Sequence, residues 1–481
     1  MSRLVIGPFN RVEGDLEVHL DIEAGRIREA RVNAPLFRGF EPMLTGRSPM
    51  DALVIAPRIC GICSVAQSVA AARALASSQG LKPEANGRLA ANLVLAAENA
   101  ADHLVHFALF FMPDFARAAY EGRAWHPLAK QRFEARVGKA VQEASSARSR
   151  LFHLMGTLAG KWPHSLAIQP GGTTKPVDKG EVARIKSTLA EFRAFLENTL
   201  FASRLEKVAG LSNMAELRAW AASSGDGDFR LFLKAALDLD LECLGRSGAG
   251  LMSYGAYEDG EGGHLFARGS IRNGLPAPLD LSLIREDVSH AWYQALPLHP
   301  EEGQTQPEAG RQAAYSWCKA PRLGGRAVEV GAFARQLIAG QPLILEMWKE
   351  QGSTVLGRVV ARLIELARLV PAMEGWAAAL EPGAPFCAAP PESWNSSRGA
   401  GLIEAARGSL GHWLAIGEDR LQSYQIIAPT TWNFSPRDGQ GQPGPAEKAL
   451  EGVAIAPGET NPVAVQHVIR SFDPCMVCTV H

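Results

Sequence analysis

The stretch Asp473-Pro-Cys-Met-Val-Cys-Thr-Val-His481 holds two cysteines, Cys475 and Cys478, with two residues between them. A pair of the same spacing, Cys60 and Cys63, lies in Pro57-Arg-Ile-Cys-Gly-Ile-Cys63, and Cys475 follows Cys63 by 412 positions. Two residues between thiols let both sulfurs reach one metal from a single turn, and Gly61 frees the backbone to make it. Four thiolates form a soft, negative donor set suited to Zn, Fe, Ni or Cu(I). A four-cysteine zinc knot is one reading, but such knots usually staple a short local segment. These pairs join two ends of a long chain, which places the metal at the centre of the fold. A thioredoxin-type redox pair is another reading, and neither pair sits in a clear βαβ unit. Cys243, Cys318 and Cys387 stand alone and read as small buried apolar residues.

The rest of the 481 residues bounds the class. Hydrophobic residues make up 47% and charged residues 21%, an ordinary globular balance that argues against disorder. With 49 Lys plus Arg against 50 Asp plus Glu the net charge is −1, without the basic surplus of a nucleic-acid binder. Seven cysteines are too sparse for a secreted disulfide scaffold. The N-terminus has no apolar run of signal-peptide length, and Leu104 to Met112 is shorter than the roughly 20 residues a membrane span needs. These features predict a cytoplasmic protein without membrane insertion.

Length alone suggests two to four domains, yet no loop reads as a linker. Loops are marked by Gly255 to Gly263, by Glu381-Pro-Gly-Ala-Pro, and by Asp438-Gly-Gln-Gly-Gln-Pro-Gly-Pro. Residues 1 to about 40 read as short strands, with Leu16 to Ile22 alternating at period two. Helical spacing runs from Ala66 to about Gly160, and further helices are predicted over 180–208, 213–222, 229–241 and 331–378. The expectation is an α+β, predominantly helical fold: a large central helical bundle with small sheets near the termini, 1–481 forming a single intertwined domain.

The whole chain resembles the large subunit of [NiFe] hydrogenases. The resemblance rests on Arg11-Val-Glu-Gly14, Arg38-Gly-Phe-Glu41, Arg58-Ile-Cys-Gly-Ile-Cys63, Glu404-Ala-Ala-Arg-Gly-Ser-Leu-Gly-His-Trp413, Pro429-Thr-Thr-Trp-Asn433 and the closing cysteine motif. It implies nickel on Cys60, Cys63, Cys475 and Cys478, with Cys63 and Cys478 bridging to an iron that carries carbonyl and cyanide ligands. It further implies that Arg407 hangs over the metals, held by Asp102 and Asp473. Glu13 would pass protons from the terminal cysteine Cys475 towards solvent, and Thr431, with Thr430 a near-equal candidate, would hydrogen-bond a cyanide. Glu41, the carbonyl of Ile427 and His481 would hold Mg2+ or another divalent cation. Electrons would leave through an iron–sulfur small subunit in a heterodimer, since this chain has no further cysteine cluster. His103 and His106 read as hydrogen-bonded core histidines, and Lys319-Ala-Pro-Arg-Leu-Gly as structural.

Two departures narrow the resemblance. Gln67 stands where many members have a histidine, so the residue beside the bridging sulfur cannot titrate; Ala406 replaces a usual proline. The sequence also ends at His481, where most family precursors carry a removable tail. Either this is the processed form or the gene encodes no tail; absence of the tail, together with Gln67, resembles the regulatory, hydrogen-sensing branch, which turns over H2 slowly, reports to a histidine kinase and often pairs two heterodimers. An uptake hydrogenase of energy metabolism is the alternative, and a structural zinc scaffold the alternative of a different class. The quinone-site subunit of respiratory complex I shares the ancestry but usually lacks the four cysteines.

Overall fold

The computed structural model describes residues 2–223, 225–294, 296–389, 391 and 393–480. The predicted N-terminal strands form an antiparallel meander of Ser2–Ile6, Glu17–Glu23 and Arg26–Asn33. Val18, Leu20, Ala30 and Val32 are buried at alternate positions, as period two requires. The last strand also receives a segment from far along the chain. Ile27 N–H donates to the Val453 carbonyl at 2.9 Å, and Ile455 N–H to Gly25 at 2.9 Å.

The helix Ser64–Gln79 begins directly after Cys63 and ends at Gly80 in the left-handed region. Its alanines favour helix and leave a smooth flank. Against that flank lies the antiparallel hairpin Ser397–Ala405 and Gly408–Gly417. A Cβ at Gly399 would stand 2.1 Å from the Ala74 carbonyl oxygen, and one at Gly401 1.9 Å from that of Ala70. Only glycine permits this approach. The hairpin tip carries Arg407, so the contact sets the guanidinium relative to the first cysteine pair.

The helices Ala85–Val105 and Val355–Ala379 pack together in the bundle. Buried Glu365 accepts from Arg335 at 2.8 and 3.1 Å and lies 3.1 Å from His103 Nε2, while Arg335 also donates to Glu404 at 2.8 Å. Desolvation offsets much of the attraction in such a network, so its main effect is to fix how helices and hairpin meet. His103 and His106 are the core histidines expected, the latter 2.7 Å from the Arg470 carbonyl.

Several sequence expectations need correction. The predicted helix 331–378 is three helices, Ala332–Ile338, Pro342–Gln351 and Val355–Ala379, broken at Gly340 and Gly352, both with positive φ. The 180–208 segment passes from Lys179–Phe195 through widened turns at Leu196–Leu200 to Leu205–Ala209. Gly255 to Gly263 is not plain loop, since Ala256–Glu258 pairs with His264–Phe266. Sheets are not confined to the ends: Leu275–Ala277, Gly269–Arg272, Gly250–Ser253 and Val328–Glu329 make a four-stranded sheet in mid-chain. Its strands are too short for periodicity to register. Cys243 is exposed and Cys387 half-buried, so of the three lone cysteines only Cys318 is the buried apolar residue expected. Among the described residues no helix is long and apolar enough to cross a membrane.

Candidate metal centre

Cys60 leaves the short helix Ala56–Ile59 in extended backbone, and Cys63 precedes Ser64–Gln79. Cys475 opens the single turn Met476–Cys478. The two turns face each other. Sγ of Cys60 lies 3.4 Å from that of Cys475, Cys63 to Cys478 is 3.1 Å, and Cys475 to Cys478 is 3.1 Å. All four sulfurs fall within 4.8 Å of one another. Hydrogen bonding from Cys475, then from Cys478 and Cys63, pulls the Cys60 thiol well below its ordinary range. The same contact with Cys475 pushes Cys63 well up. Four thiols this close cannot all ionise without a cation among them, and a soft cation would remove that conflict.

Backbone and one arginine hold the turns together. Met476 N–H donates to the Glu13 carbonyl at 2.7 Å, and Arg38 N–H to that of Val480 at 2.8 Å. The Arg38 guanidinium donates to the Ile59 carbonyl and, at 3.2 Å, to that of Val477, stitching one cysteine turn to the other. Gly14 has φ of +79°, and a Cβ there would stand 2.9 Å from Val477, so this crossing requires glycine.

Arg407 is buried at the hairpin tip. Its Nη1 stands 2.7 Å from Asp102 Oδ2, its Nη2 3.1 Å from Asp473 Oδ1, and its Nε donates to the Asp473 carbonyl at 2.9 Å. Burial disfavours its charge, but the two carboxylates outweigh that and hold it charged. Burial also pushes Asp102 up to about 7, against the pull of Arg407. The three residues predicted as a unit are therefore brought together.

The remaining predicted residues surround the sulfurs. Glu13 pairs as an isolated bridge with Cys475, and its carboxyl is pushed up by burial and by Cys60. Thr430 Oγ1 accepts from Cys475 N–H at 3.1 Å, while the buried Thr431 Oγ1 has no hydrogen-bond partner among the described residues. That separates the two threonines, leaving Thr431 as the one with an open hydroxyl. Gln67 Oε1 lies 2.8 Å from His412 Nε2, and Gln67 Nε2 is buried without a partner. A cavity of about 210 Å3, lined in part by Ile62, Ala101, Asp102, Val105, Leu109 and Phe110, abuts the first cysteine turn.

Glu41 and Ile427 are also brought close: Glu41 Oε1 accepts from the neighbouring Ile426 N–H at 2.7 Å. His481 lies outside the described residues. Lys319, read from sequence as structural, stands with its ammonium 3.2 Å from Glu41 and 3.5 Å from Glu286.

The nickel-dependent hydrogenase family matches residues 38–120 and 142–481, which include all four cysteines. The chain belongs to the nickel-dependent hydrogenases. It is 28% identical to the periplasmic [NiFeSe] hydrogenase large subunit of Desulfomicrobium baculatum, covering 100% of this chain and 95% of that one. To the uptake hydrogenase large subunit of Rubrivivax gelatinosus it is 24% identical, again over 100% and 95%. The reduced Ni-Fe-Se hydrogenase of D. vulgaris Hildenborough superposes with a TM-score of 0.86 at 29% identity, covering 100% of both chains. The protein is the catalytic large subunit of a nickel–iron hydrogenase, and its fold is that of hydrogenase large subunits.

Sequence reasoning gave no role to Arg38, Lys319 or Glu98. The buried Glu98 carboxyl accepts from Val65 and Ala66 N–H and from Trp162 Nε1, each at 2.9 Å, at the start of the helix that follows Cys63. Arg38 opens the motif Arg38-Gly-Phe-Glu41, which is its only sequence signal. Glu98 offered only an acidic residue amid an apolar helix.

Proposed function

We propose that this hydrogenase subunit splits H2 heterolytically at a nickel–iron centre held by Cys60, Cys63, Cys475 and Cys478, passes the electrons to an iron–sulfur small subunit, and serves as a cytoplasmic hydrogen sensor reporting to a histidine kinase. The convergence of four sulfurs within 4.8 Å carries the metal part of this reading. When bound, the centre supplies a Lewis-acidic pair of metals that polarises H2 and takes up its electrons. Cys60 and Cys63 from one turn and Cys475 and Cys478 from the other would hold that centre between them. The open hydroxyl of Thr431 and the open amide of Gln67 suit a centre whose iron carries carbonyl and cyanide, since both are buried donors lacking a protein acceptor.

The protein's own groups account for proton handling. A thiolate of Cys475 takes the proton, and Glu13, lifted above the ordinary carboxylate range and only half buried, relays it outward. Arg407, its planar fork fixed by Asp102 and Asp473, restrains small ligands and supplies fixed positive charge without giving up a proton. Glu41 and Glu286 put two carboxylates around one ammonium, Lys319, and a divalent cation such as Mg2+ with the Ile427 carbonyl and His481 would complete that site. Among the described residues the four cysteines are the one cluster of metal-ligand side chains, which is why electrons need a cluster-bearing partner.

Gln67, which cannot titrate beside the bridging sulfur, supports the sensor with low turnover, acting as one intertwined unit within a heterodimer or a pair of heterodimers. A relative named as an uptake enzyme favours the second reading, a subunit of energy metabolism. Infrared spectra of the anaerobic complex test the centre: one carbonyl and two cyanide bands that shift under H2 are expected. Zinc alone in fully metal-loaded protein would overturn it. Slow turnover with H2-dependent kinase phosphorylation supports the sensor; fast turnover with no kinase response supports uptake.

A further inference from the structure

Apart from the cysteine centre, a recess of about 480 Å3 opens beside the mid-chain four-stranded sheet. Its floor is apolar, built from Leu251, Ile271 and Val328. Its rim carries four cations from four separate segments: Arg246, Arg272, Arg326 and Lys448. No Asp or Glu lines it among the described residues. Lys448 has a partner outside the recess, Glu451 at 2.7 Å. The three arginines form no ion pair among the described residues, and the Arg326 guanidinium donates to the Asn273 side chain. The nearest buried carboxylate, Glu329, is turned away and consumed by Arg358 at 2.9 Å and by Ser247 at 2.6 Å.

Like charges gathered around one hollow repel each other; Glu451 offsets Lys448 and Asp280 acts on Arg272 from outside, but among the described residues no carboxylate lines the recess itself. Guanidinium forks match phosphate oxygens two at a time, which an ammonium cannot do. The half-buried indole of Trp348 forms part of the wall, a flat apolar surface on which a base can stack. Gly248 and Gly274, both with positive φ and with open space where a Cβ would project, let the backbone approach a ligand closely. The volume falls within the usual range of small-molecule sites, roughly 300 to 1,000 Å3. A concave, arginine-rimmed hollow of this size suits a compact polyanion better than an acidic protein surface.

We infer that this recess binds a phosphate-bearing anion, its phosphate oxygens held by Arg246, Arg272 and Arg326. The phosphates could come from a nucleotide, stacked on Trp348, or from free inorganic phosphate. Calorimetric titration of the intact complex with ATP, ADP and inorganic pyrophosphate at low ionic strength tests it. Saturable binding is expected, weakened at least about tenfold in the Arg272→Ala, Arg326→Ala double variant, with H2 turnover unchanged as the check on folding. Lys448→Ala gives a milder loss. Tighter binding of ATP than pyrophosphate, lost in Trp348→Leu, assigns the nucleotide; equal binding, unaffected by Trp348→Leu, assigns the inorganic form, recognised by its phosphates alone. No binding of any of the three, or binding indifferent to the arginine substitutions, overturns the inference.

Discussion

The side-chain oxygen of Gln67 lies 2.8 Å from Nε2 of His412, a residue 345 positions further along the chain. Nδ1 of that histidine lies 2.7 Å from the Tyr424 hydroxyl. An amide oxygen can only accept, so His412 donates from Nε2 to Gln67. The glutamine oxygen is thereby committed, and its amide nitrogen is the end that remains for the centre.

Gln67→His therefore exchanges a fixed donor for a titratable one. We expect the variant to keep its metals but to gain a pH dependence of turnover near the imidazole range, about 6.5, with shifted carbonyl and cyanide bands. A metal-replete variant with the same pH profile and bands as the parent would remove Gln67 from the tuning of the site.

Arg407→Lys keeps the charge and loses the fork. One ammonium cannot hold both Asp102 and Asp473 at the distances seen, 2.7 and 3.1 Å. H2 oxidation should fall by roughly 100- to 1,000-fold while nickel content is retained, because fixed electrostatic groups at reacting centres have effects of that order. Turnover and nickel measured on the same preparation decide it, and unchanged turnover would take the arginine out of the reaction.

Glu13→Gln removes the proposed proton carrier without changing shape. Hydrogen–deuterium exchange and H2 oxidation should fall by roughly 100-fold or more, the usual weight of a positioned acid–base group. The metal bands and their response to H2 binding should persist. Exchange at the parent rate would send the proton by another route.

Stability should decline on the alkaline side of neutrality. Burial pushes Glu98 up to about 8 and Glu286 and Glu447 up to about 7. An acid raised by folding contributes stability in full below its unfolded value, and that contribution drains away as pH climbs towards its folded value. His106 and His467, pushed down to about 3 and about 4 by burial, work in the opposite sense, but only up to the ordinary imidazole range near about 6.5. Between pH of about 6.5 and 8 these histidines no longer oppose the three carboxyls, so Tm should fall there. Glu447→Gln should flatten part of that fall, because the amide oxygen can still accept from Val32 N–H and the Tyr315 hydroxyl, at 3.0 and 2.8 Å in the parent, while the titrating group is gone. A Tm that rises across this interval, or a slope untouched by the substitution, would contradict the assignment.

The metal centre was legible because chemistry restricts it. Four thiolates at that spacing suit one soft metal, and Arg407 and Asp473 came with the motifs, whereas Asp102 followed from the family resemblance alone. Arg38 and Lys319 act through partners far away in the chain, Val477 and Glu286 among them, which no local pattern records. The break in the predicted helix 331–378 had its own signals, Gly340 before Pro342 and Gly352 before the Thr354 cap. Apolar periodicity on either side masked them. Cys243 was misjudged because a solitary cysteine carries no information about its exposure.

The distance along the chain between the two cysteine pairs imposes a wait. At translation rates of about 5 to 20 residues per second, the 412 positions from Cys63 to Cys475 take roughly 20 to 80 seconds to synthesise. Through that interval Cys60 and Cys63 are half a ligand set, and the Arg38 guanidinium has the Ile59 carbonyl but not yet that of Val477. The nascent protein is thus a pair of reactive thiols well before it is a metal site. Whatever delivers the metals has either to shield the first pair during synthesis or to arrive after the second has emerged.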